Sequence, residues 1–217
     1  MDKSLIIQKT ADFVKEQLSN AEGGHDWWHI YRVWQNAKTI ASSETADLFV
    51  VELGALLHDI ADSKFHDGDE KKGPAIAREF LQNLKVDQDI VDHVVNIIQH
   101  ISFKGGHHEG QFKSIELDII QDADRLDALG AIGIARAFNY GGFKNRKIND
   151  PTIPAKLNQT KEEYKNSTAP TLNHFQEKLL LLKDLMNTEK GRKLAEKRHQ
   201  FLLTYLDTFH REWEGLE

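Results

Sequence analysis

Apolar residues recur at intervals of three and four along almost the whole chain, and the strict alternation of a half-buried strand is hard to find. Ile90, Val91, Val94, Val95, Ile97 and Ile98 form one such stripe; Phe175, Leu179, Leu182, Leu185 and Met186 form another. The pattern predicts an all-α protein. Start and stop signals divide it into elements. A helix over about 4–19 ends before Glu22-Gly23-Gly24, and a second starts at Asp26, a good N-cap, and reaches about Ser42. A third, over about 44–57, is almost wholly apolar on one side and delivers His58-Asp59 at its end. Pro74 suits the first turn of a helix reaching Leu84, and Asp87 caps another reaching about Ile101. The segments 63–73 and 103–111, rich in Gly and charge or His, read as loops. One long helix is predicted over about 114–137. A surface insertion over about 141–170 holds Gly-Gly and three of the four prolines, with room for one short helix. Two helices, over about 171–186 and 188–213, close the chain.

Composition removes several classes of function. Lys and Arg number 28 against 34 Asp and Glu, a formal charge of −6, so the chain lacks the net positive field for a broad grip on nucleic acid. With no cysteine there is no disulfide scaffold, no thiol nucleophile and no thiolate zinc site. No stretch approaches the roughly 18 apolar residues of a membrane span. The first residues are cut by Asp2, Lys3, Lys9, Asp12, Lys15 and Glu16, which excludes a signal peptide's apolar core there. A cytoplasmic protein without membrane contact is the expectation. Eleven histidines direct attention to metal or phosphate chemistry.

Three segments place such chemistry in apolar surroundings. Gly54-Ala55-Leu56-Leu57 ends abruptly in His58-Asp59, two adjacent groups that both bind metals. Alone, such a pair is more often a cap and a surface carboxylate. Upstream, His29 and Arg32 stand one helical turn apart on one face, with His25 a turn before them. Downstream, Asp122, Asp124, Arg125 and Asp127 interrupt an apolar helix, where an unpaired charge would cost several kcal/mol.

The order His29, His58-Asp59, Asp124 resembles the H…HD…D signature of HD-domain metal-dependent phosphohydrolases. The flanks match as well: HDWWHIYRVW around the first ligand, GALLHDIADSKF around the doublet, and DIIQDADRLDALGAIGIAR around the last. The C-terminal HFQEKLLLLKDLMNTEKGRKLAEKRHQFLLTYL is similar to a bacterial subgroup typified by manganese-dependent nucleoside triphosphate pyrophosphatases. The resemblance implies an HD-domain helical bundle forming a single domain over 1–217. Its metal-site core would span about 25–137, with the surface insertion at 141–170 and the C-terminal helices at 171–213. It also implies a divalent metal ion held by His29, His58, Asp59 and Asp124. Two imidazoles and two carboxylates suit Mn, Fe, Co, Ni or Zn and leave positions for water and phosphate oxygens. The subgroup puts manganese first and leaves Mg possible.

Hydrolysis at phosphorus also needs a base and cover for the phosphate charge. Asp62 and Asp67, three and eight residues past Asp59, match positions where carboxylates orient the attacking water in related phosphohydrolases, and Asp62 is the better candidate. Arg32 and Lys64 adjoin the ligand segments and are candidate phosphate clamps. Arg125 and Arg136 could also serve, although an Arg on a helix rich in Asp is equally often a structural ion partner. Lys104 and the glycines beside it could approach phosphates through backbone N–H groups, or form a solvated loop. His93 and His100, two turns apart on one face, could hold a second metal, while His107 and His108 read as surface residues. Tyr140 could stack on a base; the alternative is that Gly141-Gly142 caps the helix beside a packed aromatic. Trp27, Trp28 and Trp34 read as core or pocket wall. The expected activity is hydrolysis of a (deoxy)nucleoside triphosphate to monophosphate and pyrophosphate. A nucleoside monophosphate or cyclic-nucleotide phosphohydrolase is the alternative enzyme, and a non-catalytic metal- and nucleotide-binding sensor the alternative outside catalysis. The expected partner is a small-molecule nucleotide, with the chain a monomer or homodimer.

Overall fold

At several helix starts a side chain satisfies one of the first N–H groups. In the computed structural model, which describes residues 2–19, 26–60, 71–101, 112–160, 163 and 167–216, the Asp26 carboxylate accepts the His29 N–H at 3.0 Å and starts α2 (Trp27–Ala41). It follows α1 (Lys3–Gln17). Asp47 accepts the Phe49 N–H at 2.9 Å and starts α3 (Leu48–Leu57), so this helix begins later than the apolar pattern predicts. Next come α4 (Lys72–Asn83), with Pro74 in its first turn, and α5 (Gln88–His100), where Asp87 holds the N-cap position but, contrary to expectation, its side chain makes no capping hydrogen bond. Ser114 Oγ accepts the Leu117 N–H at 3.1 Å at the start of α6 (Ile115–Asp127).

The long helix predicted over 114–137 is two helices. Leu129 is extended (φ −115°, ψ 158°) and Gly130 has φ +69°, a conformation that costs glycine little, and α7 (Gly130–Phe143) then sets off anew. Gly141 and Gly142 do not cap it: α7 runs through them to Phe143. The closing pair also differs from expectation. The first is a short α8 (Asn173–Glu177), a break at Lys178 (φ −143°, ψ −55°) and a 3-10 helix (Leu179–Leu185). The second, α9 (Glu189–Trp213), has the Thr188 hydroxyl as its N-cap acceptor, 2.9 Å from Gly191 N. Among the described residues there is no strand, and no helix is long and apolar enough to cross a membrane.

The chain forms two compact units, Met1–Asp124 and Arg125–Glu217. In the first, α3 is the central element, packed against α1, α2 and α5, with α4 against α5. Leu53, Leu56 and Leu57 are fully buried, and burying each such side chain contributes about 2 kcal/mol. Gly54 permits the closest approach: a Cβ there would stand 2.6 Å from Ile120 Cδ1 of α6 and 3.5 Å from Ile97 Cγ2 of α5. Gly54 and Ile120 each lie four residues before a ligand, His58 and Asp124, so their close approach relates the two ligand segments.

In the second unit α7 packs against α9. Residues 144–160 carry neither helix nor strand and are tied to the residues that lead into α8: Lys147 O accepts from Thr171 N at 2.9 Å, Ile148 O from Leu172 N at 3.0 Å and Ile153 O from Asn173 Nδ2 at 2.9 Å. Arg125 Nη1 donates to Leu185 O at 2.7 Å, and Arg192 Nη1 donates to Met186 O and Asn187 O. These arginines take up carbonyls left at the end of the 3-10 helix.

Candidate metal centre

Four side chains of the first unit, from α2, the end of α3 and α6, make up the candidate site. His29, from the first turn of α2, is 1% exposed. His58 caps the C-terminus of α3 and is buried, and Asp59 beside it is half-buried. One ligating atom from each of these three lies within 4.8 Å of the other two. Asp124, on α6, places Oδ1 3.6 Å from His29 Nε2 and leaves its side chain 45% exposed. The centre thus has a buried side made of imidazoles and an open side at a carboxylate, where water or a phosphate can enter.

Whether these groups suit a metal is decided by their donor atoms. His58 Nδ1 lies 2.8 Å from the Ala55 carbonyl oxygen, which accepts only a hydrogen, so Nδ1 carries the proton and the Nε2 lone pair is left for a ligand. Bonds of about 2.0–2.2 Å to one ion put two ligands at most about 4.4 Å apart, so the observed spread closes on a shared ion with a shift of a few tenths of an ångström. A 3.6 Å separation between His29 Nε2 and Asp124 Oδ1 is long for a hydrogen bond and suits two ligands side by side on one ion. The set of two imidazoles and two carboxylates fits a divalent transition ion.

Further contacts hold the ligands in place. Asn36 lies seven residues after His29, on the same face of α2, and its Nδ2 donates to the Ala123 carbonyl at 3.4 Å, next to Asp124. The sequence reading missed Asn36, although its spacing of two turns from His29 was legible. At the other end of α3, buried Glu116 accepts the Asp47 N–H at 3.0 Å through Oε1, and its Oε2 lies 3.4 Å from His93 Nε2. His93 also reaches Ser114 Oγ at 3.1 Å, while His100 Nδ1 donates to Asn96 O at 2.8 Å. Both rings pack against Phe112, at 5.5 and 5.7 Å. Among the described residues, the group of three or more His or acidic side chains spaced for a metal is that of His29, His58 and Asp59, and it does not include His93 or His100.

Of the other predicted site residues, Arg32 is half-buried on α2, one turn beyond His29. His25, Asp62, Lys64, Asp67 and Lys104 lie outside the described residues. Arg136 and Tyr140 belong to the second unit. Arg136 Nη1 pairs with the buried Asp127 carboxylate at 2.9 Å. Tyr140 is exposed, with Lys144 Nζ and the Arg146 guanidinium each 5.7 Å from its ring centre.

Two histidines and an aspartate whose ligating atoms lie within 4.8 Å of one another, with a second aspartate beside His29, form a candidate site for one metal ion. The HD-domain family model matches residues 27–129, a span that contains all four ligands. A Bacillus subtilis protein, YpgQ, is 37% identical over 206 residues, covering 94% of this chain and 92% of its own. A crystal structure of an HD-superfamily hydrolase from Bacillus thuringiensis is 42% identical, covers 98% of this chain and 99% of its own, and superposes with a TM-score of 0.77. The structure of YpgQ in complex with ADP matches at 34% identity over 97% of this chain and all of its own, with a TM-score of 0.77. The chain belongs to the HD-domain family of metal-dependent hydrolases.

Proposed function

We propose that the chain hydrolyses nucleotides with a divalent metal ion, cleaving (deoxy)nucleoside triphosphates to monophosphate and pyrophosphate. The observation that carries this reading is the convergence of His29, His58 and Asp59, with Asp124 beside His29. The ADP complex of YpgQ supports a nucleotide as ligand. His29, His58, Asp59 and Asp124 would hold the ion, with manganese the first choice. When bound, it supplies Lewis acidity, lowering the pKa of a water and drawing charge from the phosphoryl oxygens.

The protein's own groups do the rest. The Ala55 carbonyl keeps His58 in the tautomer that presents Nε2. Asp62, three residues past the doublet, orients the attacking water and takes its proton, with Asp67 the alternative base. The water oxygen bonds to the α-phosphorus, the bond from that phosphorus to the bridging oxygen breaks, and pyrophosphate leaves. Arg32 and Lys64 offset the phosphate charge, and Lys104 with the glycines beside it would offer further backbone donors. A cysteine-free chain fits the reducing cytoplasm, where nucleotide pools reside.

The test is a nucleotide panel with the Mn-loaded protein, read for product identity. Pyrophosphate and monophosphate in equal amounts are expected. Stepwise orthophosphate without pyrophosphate would replace this reading with a phosphomonoesterase. Asp62→Asn should keep the metal and lower turnover by about 10²–10⁴-fold.

A further inference from the structure

Helix α2 carries four aromatic side chains, and they do not share one environment. Trp34 is anchored by its Nε1, which donates to Glu52 Oε1 at 3.0 Å, and Trp27 is half-buried. Trp28 is 59% exposed and Tyr31 40% exposed. Their rings meet edge to face, with centroids 5.9 Å apart and planes at 79°, which leaves a two-walled aromatic corner open to solvent. Both side chains are exposed, although the Tyr31 ring also meets Trp27 and Trp34 at 6.3 and 6.4 Å, and Trp28 directly precedes the ligand His29 in sequence.

Position around the helix relates this corner to the ligands. At about 100° per residue, Arg32 stands about 40° from Trp28 and His29 about 100° from it in the same sense, while Tyr31 lies about 60° to the other side. The order across the surface is Tyr31, Trp28, Arg32, His29, and burial rises along it from the exposed aromatics through half-buried Arg32 to His29. Aromatic, cation and metal ligand therefore succeed one another from solvent inward, in the order base, phosphate, reacting phosphorus.

We infer that Trp28 and Tyr31 form the nucleobase subsite, on which the base of a nucleotide stacks while its phosphates run past Arg32 to the metal centre. The inference rests on the nucleotide reading above and adds the residues that would recognise the base. Stacking uses the π-face that every base has, so the subsite takes any base. Selection by hydrogen bonds to base edges is not expected from this corner.

The experiment compares a nucleoside triphosphate with inorganic tripolyphosphate, which has the phosphates and no base, on the full-length Mn-loaded protein. In Trp28→Ala the ratio of kcat/KM for nucleotide over tripolyphosphate should fall roughly 5- to 100-fold, through KM, and Trp28→Phe should restore most of it. Tyr31→Ala should lower the ratio less. An unchanged ratio in Trp28→Ala overturns the inference, and so does an unchanged ratio with a smaller sedimentation mass, which would make this face a contact between copies. If the parent cleaves neither compound, the hydrolytic reading fails by itself. The subsite is then decided by tryptophan fluorescence: quenching by ADP but not by pyrophosphate, lost in Trp28→Phe, supports it, and equal quenching in parent and variant overturns it.

Discussion

His174 gives the second unit a predictable sensitivity to acid. It sits in α8 between buried Asn173 and Phe175. Burial, with smaller contributions from the charges of Lys178 and Arg146, lowers its pKa from 6.5 to about 3. The sign depends on which state takes the proton first. Above pH 6.5 the ring is neutral in both the folded and the unfolded chain, and the shift has no effect on stability. Below it the unfolded chain binds a proton that the folded one refuses, so stability falls as pH drops from 6.5 toward about 3. The slope is about 1.4 kcal/mol per pH unit, so the loss reaches about 2 kcal/mol at about pH 5. Carboxylates and other histidines also titrate, and the comparison of parent with His174→Gln removes their contribution. Denaturant unfolding at about pH 7.5 and about pH 5 should show the parent losing about 2 kcal/mol more than His174→Gln. Equal losses in the two proteins, or a His174 ring that titrates near 6.5 by NMR, would refute the reasoning.

Arg136→Met should lower the free energy of unfolding by about 3 kcal/mol, the low end of the range for breaking a buried ion pair, because Arg198 also attracts Asp127. Unchanged stability with a raised KM for nucleotide would instead assign Arg136 to substrate. Glu116→Ala removes the acceptor of the Asp47 N–H and should cost about 1–3 kcal/mol in denaturant unfolding, whereas Glu116→Gln, which keeps an acceptor, should cost less. Equal losses would show that the Asp47 contact carries no stability.

Periodicity identified most helices because each buries one stripe, and caps such as Asp26 set their starts. It failed where backbone conformation, not side-chain pattern, decided the outcome. The apolar pattern runs unbroken through Ala128, Leu129 and Gly130, so the turn made by extended Leu129 and positive-φ Gly130 was invisible to it. The Phe175 to Met186 stripe fits a continuous helix equally well, and no side-chain signal in it marks the backbone break at Lys178 (φ −143°, ψ −55°). At the metal centre the ligand types were legible from their order along the chain. Their support was not: the Ala55 carbonyl that sets the His58 tautomer and the Asn36 bond beside Asp124 are contacts of the folded backbone.

The account stands on the ligand group, and metal content tests it most directly. Elemental analysis and calorimetric titration of the full-length chain with Mn should give about one tightly bound ion, lost in His29→Ala, His58→Ala, Asp59→Ala and Asp124→Ala while circular dichroism keeps the helical signal. Full occupancy retained in both His58→Ala and Asp59→Ala would contradict it.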